Sequence, residues 1–262
     1  TVPPLVALHG FDSSCLEFRR FLPVLARQGV PAWAVDLVGW GFTDHGPFTG
    51  PGAAPLGPDQ KREHLYAFWK AKVGRPMTLL GASLGGAIAL DFALAHPDAV
   101  ARLVLVDPQA YTDGLGPLSS APRWLAGLGV AVLRTEPLRR AANRMAYHDV
   151  PRFATEDAMR VGRLHTHAPG WADANLQYIA SGGYALSGRV REAAVPTLVL
   201  WGRQDKILEP AMAARFEADL PDGRLVWVED CGHCAHLEAP DRAGRVVGAW
   251  VRGEEVRGVG GV

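Results

Sequence analysis

Three residue types that together can transfer an acyl group occur in this chain in a usable order: a serine framed by glycines, then an aspartate, then a histidine. Ser83 lies in Gly81-Ala82-Ser83-Leu84-Gly85. The apolar run Met77-Thr78-Leu79-Leu80 precedes it, and the Ala/Leu-rich stretch from Gly86 to Ala93 follows it. A strand, a tight turn and a helix in that order make a nucleophile elbow, which lifts the hydroxyl clear of a sheet and points a helix N-terminus at it. Small residues are required because backbone crowds backbone at the bend. A serine hydroxyl is a poor nucleophile near neutral pH, so it needs a base, and that base needs an orienting acid. Gly202-Arg203-Gln204-Asp205 follows the apolar run Thr197–Trp201, and Gly232-His233 follows Leu225–Val228. Asp205 and His233 are therefore the predicted acid and base. The oxyanion formed during attack would meet two backbone N–H groups, that of Leu84 after the nucleophile and that of Phe11 in His9-Gly10-Phe11.

Each choice has a competitor. Asp107 also ends an apolar run and competes with Asp205, although Asp107-Pro108 reads equally as a turn. Asp36 reads as a brace for its own loop. His236 competes with His233, its other reading being support of the His233 loop together with Glu238. His9 reads as a hydrogen-bonded fixer of the oxyanion loop. Cys231-Gly232-His233-Cys234 matches a disulfide-exchange pattern. That chemistry wants its first cysteine at a helix N-terminus in an early βαβ unit, whereas this motif follows the last core strand, so free thiols are expected. His233-x-x-His236 lacks the glutamate of a zinc-protease helix, no Gly-Lys-Ser/Thr follows a glycine loop, and Gly39-Trp40-Gly41 is only a fragment of a dinucleotide fingerprint. No metal and no cofactor are expected.

The elements that must hold these residues read as alternating strands and helices. Unbroken apolar runs at Leu5–Leu8, Ala32–Val35, Met77–Leu80, Leu103–Val106, Thr197–Trp201 and Leu225–Val228 predict six buried strands. Helices are predicted over Leu16–Gln28, from a capping Asp59 to Val73, after Ser83, over Pro210–Asp219 and over Pro240–Val251. The fold class is α/β, a doubly wound, mostly parallel sheet with right-handed crossovers. From Tyr111 to about Ala194 the alternation stops and a helical insertion is predicted. It leaves the sheet at the edge where such folds keep their ligands, so it would cap the site. The division is a core of 1–107 and 195–252, a cap of 108–194 and a frayed tail of 253–262. Trp124, Leu128, Trp171 and Tyr178 are candidate substrate contacts in the cap, with packing of the cap's own core as the alternative.

Composition narrows the function. Across 262 residues, 27 Lys and Arg balance 27 Asp and Glu, which leaves no electrostatic footprint for nucleic acid. No apolar run approaches the roughly 18 residues needed to span a bilayer. Three cysteines argue against a disulfide-stapled secreted domain. The sequence opens on the expected strand Leu5–Leu8, and no signal peptide is expected within it.

Several stretches carry a resemblance. The elbow and the order Ser83, Asp205, His233 resemble the α/β-hydrolase superfamily over nearly the whole chain. His9-Gly10-Phe11-Asp12-Ser13-Ser14-Cys15-Leu16-Glu17-Phe18-Arg19, Asp36-Leu37-Val38-Gly39-Trp40-Gly41-Phe42-Thr43-Asp44 and Lys61-Arg62-Glu63-His64-Leu65-Tyr66-Ala67-Phe68-Trp69-Lys70 are similar to the chlorophyll dephytylases of plants and green algae. So are Gly162-Arg163-Leu164-His165 and Ser181-Gly182-Gly183-Tyr184. The resemblance implies hydrolysis of the phytyl ester of chlorophyll to chlorophyllide and phytol, in a chloroplast at the thylakoid surface. It also implies no cofactor, because the magnesium belongs to the substrate. The superfamily's first two strands and a targeting peptide are missing ahead of Leu5, as in a trimmed core, and Cys234-Ala235 stands where a bulkier pair is expected. A long apolar alcohol calls for an apolar cleft. The run Trp124–Leu133, followed by Arg134, Arg139 and Arg140, would supply one or rest on a lipid surface. The rivals are a carboxylesterase or lipase acting on another apolar ester, a non-catalytic ligand receptor on the same fold, and a disulfide exchanger.

Overall fold

A computed structural model describes residues 2–46, 49–50, 53 and 55–256. The expected loop His45–Pro58 is therefore described only in part, and residues 257–262 of the expected tail lie outside the described residues.

Six strands form one sheet: β1 (Leu5–Leu8), β2 (Ala32–Val35), β3 (Met77–Ala82), β4 (Val100–Val106), β5 (Thr197–Gly202) and β6 (Gly223–Val228), ordered β2-β1-β3-β4-β5-β6. Every pairing is parallel. β1, β3 and β5 are buried along their whole length, whereas the edge strands β2 and β6 are only partly covered. This is why the central strands read as unbroken apolar runs: both of their faces meet helices. Side chains alternate across the sheet. Leu79, Leu103 and Val199 pack on one face with Ile88, Phe92 and Phe216. Leu80, Val104 and Leu198 pack on the other with Phe18, Phe21 and Trp250. Each such side chain contributes about 1.5–3 kcal/mol by leaving water.

The helices around the sheet are α1 (Leu22–Arg27), α2 (Pro58–Phe68), α3 (Leu84–Ala95), α9 (Ala211–Asp219), α10 (Ala235–Glu238) and α11 (Pro240–Arg252). Between β4 and β5 come α4 (Arg123–Leu133), α5 (Glu136–Ala146), α6 (Val150–Phe153), α7 (Glu156–Arg163) and α8 (Trp171–Ala180), with no strand among the described residues there. Ala126, Val130, Trp171 and Ile179 form a small core of this segment.

Helix boundaries differ from expectation in three places, one being that the helix expected to reach Val73 ends at Phe68 and gives way to a π turn over Trp69–Val73. The helix predicted over Leu16–Gln28 is a 3-10 turn at Cys15–Phe18 followed by α1. Pro23 has no N–H to give a carbonyl one turn back, so a continuous helix fails there and restarts with the proline in its first turn. Gly57, not Asp59, caps α2: its N–H donates to Gln60 Oε1 at 3.0 Å and Pro58 follows at the first helical position. Asp59 sits inside the first turn and pairs with Arg62.

The register sets the level of the strand ends. Leu8 lies opposite Gly81, Ala82 opposite Val106, Val106 opposite Leu200 and Gly202 opposite Val228. The loops carrying His9–Asp12, Ser83, Asp107, Asp205 and His233 therefore all leave from one edge of the sheet.

Candidate active site

Ser83 adopts φ 52° and ψ −121°, a backbone conformation that costs a residue with a side chain of order 1–3 kcal/mol. The surroundings over-determine it. Its N–H donates to the Val106 carbonyl at 2.9 Å, and its carbonyl accepts from Gly86 and Gln109, each at 2.9 Å. Gly81 and Gly85 explain the motif sterically. A Cβ on Gly81 would collide with the Gly85 carbonyl, and one on Gly85 would collide with the carbonyls of Leu8 and His9. The start of α3 is thus pressed onto the end of β1. Gly10 abuts Ser83 in turn, its missing Cβ position lying 3.4 Å from Ser83 Cβ. Leu84 occupies the first turn of α3, where N–H groups have no intrahelical acceptor.

Asp205 and His233 are brought together. His233 Nδ1 donates to Asp205 Oδ2 at 2.8 Å, and both residues are buried. The other carboxylate oxygen accepts from the N–H groups of Ile207 at 2.7 Å and Leu208 at 3.1 Å. With Nδ1 holding the proton, Nε2 is the basic nitrogen. Asp107, the competing acid, is fully buried at φ 43°, and its Oδ1 accepts from Gly202 N–H at 2.7 Å. Burial, then the neighbouring charge of Asp205, pushes its carboxyl well above the usual range. Donor atoms of Asp107, Asp205 and His233 lie within 4.8 Å of one another, a spacing that would suit a metal. The closest contact in the cluster is an acid–base hydrogen bond.

Each loop has its own clamp. Gly232 N–H donates to Glu238 Oε2 at 2.7 Å, and the same carboxylate accepts from His148 and Asp149 N–H at 3.1 and 2.7 Å. His233 N–H donates to the Ala146 carbonyl at the end of α5, at 2.8 Å. In the loop after β1, Gly10 N–H donates to Glu17 Oε2 at 3.1 Å, while Glu17 Oε1 lies 2.9 Å from His236 Nε2. Burial pushes the Glu17 carboxyl up, but the hydrogen bond and charge of His236 outweigh it and hold the group at about 2. His9 spans from the Leu37 N–H, 3.2 Å from Nε2, to the Gly10 carbonyl, 2.9 Å from Nδ1. His236 therefore supports the loop after β1 through Glu17, where the sequence suggested the His233 loop or the base itself.

The family model for the alpha/beta hydrolase fold matches residues 3–240. The chain belongs to the α/β-hydrolase family. It is 37% identical, over 96% of its length and 74% of the relative's, to Alpha/beta hydrolase domain-containing protein VTE7 of Arabidopsis thaliana. It is 26% identical, over 91% of its length and 73% of the relative's, to Lipase 1 of Psychrobacter immobilis. Among solved structures, a thermophilic esterase from Thermogutta terrifontis superposes with a TM-score of 0.76 at 21% identity, covering 97% of this chain and 90% of that one.

The remaining candidates are scattered relative to Ser83, Asp205 and His233. Trp124 and Leu128 are 69% and 59% exposed on the outer side of α4. Trp171 is buried in the core of the α4–α8 segment, with its indole N–H bonded to Asp12 Oδ1 at 2.7 Å. Tyr178 reaches the site: its ring packs 5.9 Å from Phe11 and 4.8 Å from Trp40, which itself lies 5.5 Å from Phe11. Behind that aromatic wall the Lys61 ammonium is fully buried, 3.5 Å over the Trp40 ring and donating to the Val38 carbonyl at 2.6 Å. Burial alone drives its pKa well below the usual lysine range. A small cleft of about 50 Å³ lies elsewhere, between Arg140, Asn143, Arg144, Thr155 and Met159, and borders none of Ser83, Asp205 and His233. Cys231 and Cys234 are free, and burial pushes both thiols far above their ordinary range. Disulfide exchange needs thiolates, so this environment opposes it. Arg139 does not face outward with the other arginines of the segment but pairs with the buried Asp12.

Asp12, Glu17, Lys61 and Asn175 are the residues that motif reading passes over. A lysine at an otherwise apolar helix position and an aspartate between Phe11 and Ser13 were the available signals.

Proposed function

We propose that the protein is a carboxylic ester hydrolase whose triad is Ser83, His233 and Asp205, on a core of residues 1–107 and 195–252 beneath a cap of residues 108–194. The carrying observation is the 2.8 Å His233–Asp205 hydrogen bond, built by two loops that leave the same sheet edge as the strained Ser83. His233 Nε2 takes the Ser83 proton while Oγ attacks the ester carbonyl. The N–H groups of Phe11 and Leu84 stabilise the tetrahedral oxyanion, each contributing about 3 kcal/mol. His233 then gives the proton to the departing alcohol, and a water activated by the same imidazole releases the acid and restores Ser83.

Within the esters, the reading favours a long apolar alcohol, specifically the phytyl ester of chlorophyll, cleaved to chlorophyllide and phytol. The quoted stretches around His9, Asp36 and Lys61 support it, as does the identity to a plant relative over 96% of the chain. The Phe11, Trp40 and Tyr178 rings give the oxyanion side an apolar wall. Trp124, Leu125, Leu128 and Val132 leave an apolar strip of α4 open to solvent, suited to rest on the lipid of a thylakoid surface in a chloroplast. No helix of the described residues is long and apolar enough to cross a membrane. The second reading, a lipase-like esterase for a different apolar ester, draws on the likeness to Lipase 1. Incubation with chlorophyll, pheophytin and p-nitrophenyl esters separates the two. Free phytol is expected from the pigments, and turnover of the short esters alone would overturn the pigment assignment.

A further inference from the structure

The Asp12 carboxylate is nearly inaccessible to solvent and sits on a backbone at φ 45°. Its partners all come from the segment between β4 and β5. Trp171 Nε1 donates to Oδ1 at 2.7 Å, His165 Nε2 lies 3.2 Å from the same oxygen, and Asn175 Nδ2 lies 3.4 Å from it. Arg139 pairs with Oδ2, and its Nη1 also donates to the Asp12 carbonyl at 3.3 Å. Asn175 in turn accepts from Trp40 Nε1 at 3.3 Å, and Trp40 packs on the Phe11 ring. One carboxylate thus gathers three elements of the helical segment: α5, the turn Leu164–His167 and α8.

Asp12 directly follows Phe11, and Gly10 directly precedes it. On the Gly10 side the amide is tied to Glu17, a residue of the 3-10 turn after β1. On the Asp12 side the tie goes only to the helical segment. The Phe11 peptide is therefore stretched between one anchor in the core and one anchor in the cap. The segment reaches the base as well, because α5 carries Arg139 near its start and ends at Ala146, whose carbonyl holds His233 N–H. Seven residues of helix span about 10 Å, so α5 acts as a strut between the loops of base and oxyanion.

We propose that Asp12 is a positioning residue that makes the oxyanion hole depend on docking of the cap: with Arg139, His165, Trp171 and Asn175 seated on it, the Phe11 N–H faces the oxyanion, and without them it does not. The inference rests on the triad reading and adds to it the part of the molecule that switches the hole on. A bond of this kind acts on the transition state more than on substrate binding, because the oxyanion exists only after attack.

The test uses the full chain, a short p-nitrophenyl ester and an alkylboronic acid, which forms a tetrahedral adduct on an active serine with an oxygen in the oxyanion position. Trp171→Phe keeps the ring and removes one donor to Asp12. Asp12→Asn keeps the shape and removes the charge facing Arg139. Thermal midpoints establish that each variant is folded. Trp171→Phe is expected to lower kcat three- to fivefold and Asp12→Asn at least tenfold, with KM within twofold and boronate affinity falling in step with kcat/KM. Should Asp12→Asn fail to fold, Trp171→Phe and the boronate titration decide alone. Folded variants with kcat within 1.5-fold of the parent, or losses that appear in KM with boronate affinity unchanged, would overturn the proposal. Ser83→Ala runs alongside. Its inactivity together with unimpaired Trp171→Phe would discard the Asp12 role and leave the triad standing, whereas persisting hydrolysis in Ser83→Ala would discard the triad itself.

Discussion

The sheet edge and the helical segment α4–α8 contribute to the site in different ways. The edge carries the proposed triad, each member at the end of a strand: Ser83 after β3, Asp205 after β5, His233 after β6. The segment supplies none of the proposed triad or oxyanion donors, yet it fastens the loops on both sides of them, through Asp12 and through the Ala146 carbonyl and the backbone of His148 and Asp149. Parallel register fixes where reactive groups leave the sheet. How firmly the proposed groups are held is a matter of tertiary packing by a region that supplies none of them.

The sharpest way to break this contrast is within the edge itself. Asp205→Asn removes the acceptor that orients His233 and is expected to lower kcat by about 10³- to 10⁴-fold. Asp107→Asn replaces a carboxyl whose charged form burial already disfavours, and should cost roughly tenfold at most. Steady-state kinetics on one ester would check both, and a reversal of the two effects would make Asp107 the acid. Next comes Gly85→Ala, whose methyl would enter the space of the Leu8 and His9 carbonyls. It is expected to lower stability by about 3 kcal/mol, read as a drop in denaturant midpoint.

How much of this was legible depends on how far a signal reaches along the chain. Ser83, Asp205 and His233 each carry a local mark, an apolar strand ending in a Gly-containing turn, and the strand order follows from alternation. Asp12 carries only its place between Phe11 and Ser13, which does not point to its partners Arg139, His165, Trp171 and Asn175, more than a hundred residues away. Arg139 shows the limit well. Beside Arg134 and Arg140 it reads as part of a basic, lipid-facing cluster, while Arg140 in fact pairs with Glu136 and Glu156 and Arg139 turns inward. His236 was legible as a supporting histidine but not as Glu17's partner, because nothing local distinguishes one neighbouring loop from another. Pro23 was a local mark with a local consequence, the break between Phe18 and Leu22.

Smaller effects sharpen the contrast further. The Glu17 carboxyl, ordinarily near 4.5 and held at about 2, contributes stability that is complete above pH 4.5 and is lost as pH falls toward 2. In acid titrations followed by circular dichroism, Glu17→Gln should remove that part of the pH dependence, so the gap between parent and variant narrows across this window. At the small end, Trp124→Ser and Leu128→Ser on the exposed side of α4 should change stability by less than about 0.5 kcal/mol. The same pair should weaken binding to vesicles of chloroplast-type galactolipids, measured by flotation. Unchanged flotation would separate the apolar strip from any lipid role.

The central claim, that Ser83 is an activated nucleophile served by His233, is tested most directly by covalent labelling with a fluorophosphonate. The account predicts one phosphonyl group per chain, located by mass spectrometry on Ser83 and abolished in His233→Ala. No adduct, or an adduct on another residue with Ser83 untouched, would contradict it.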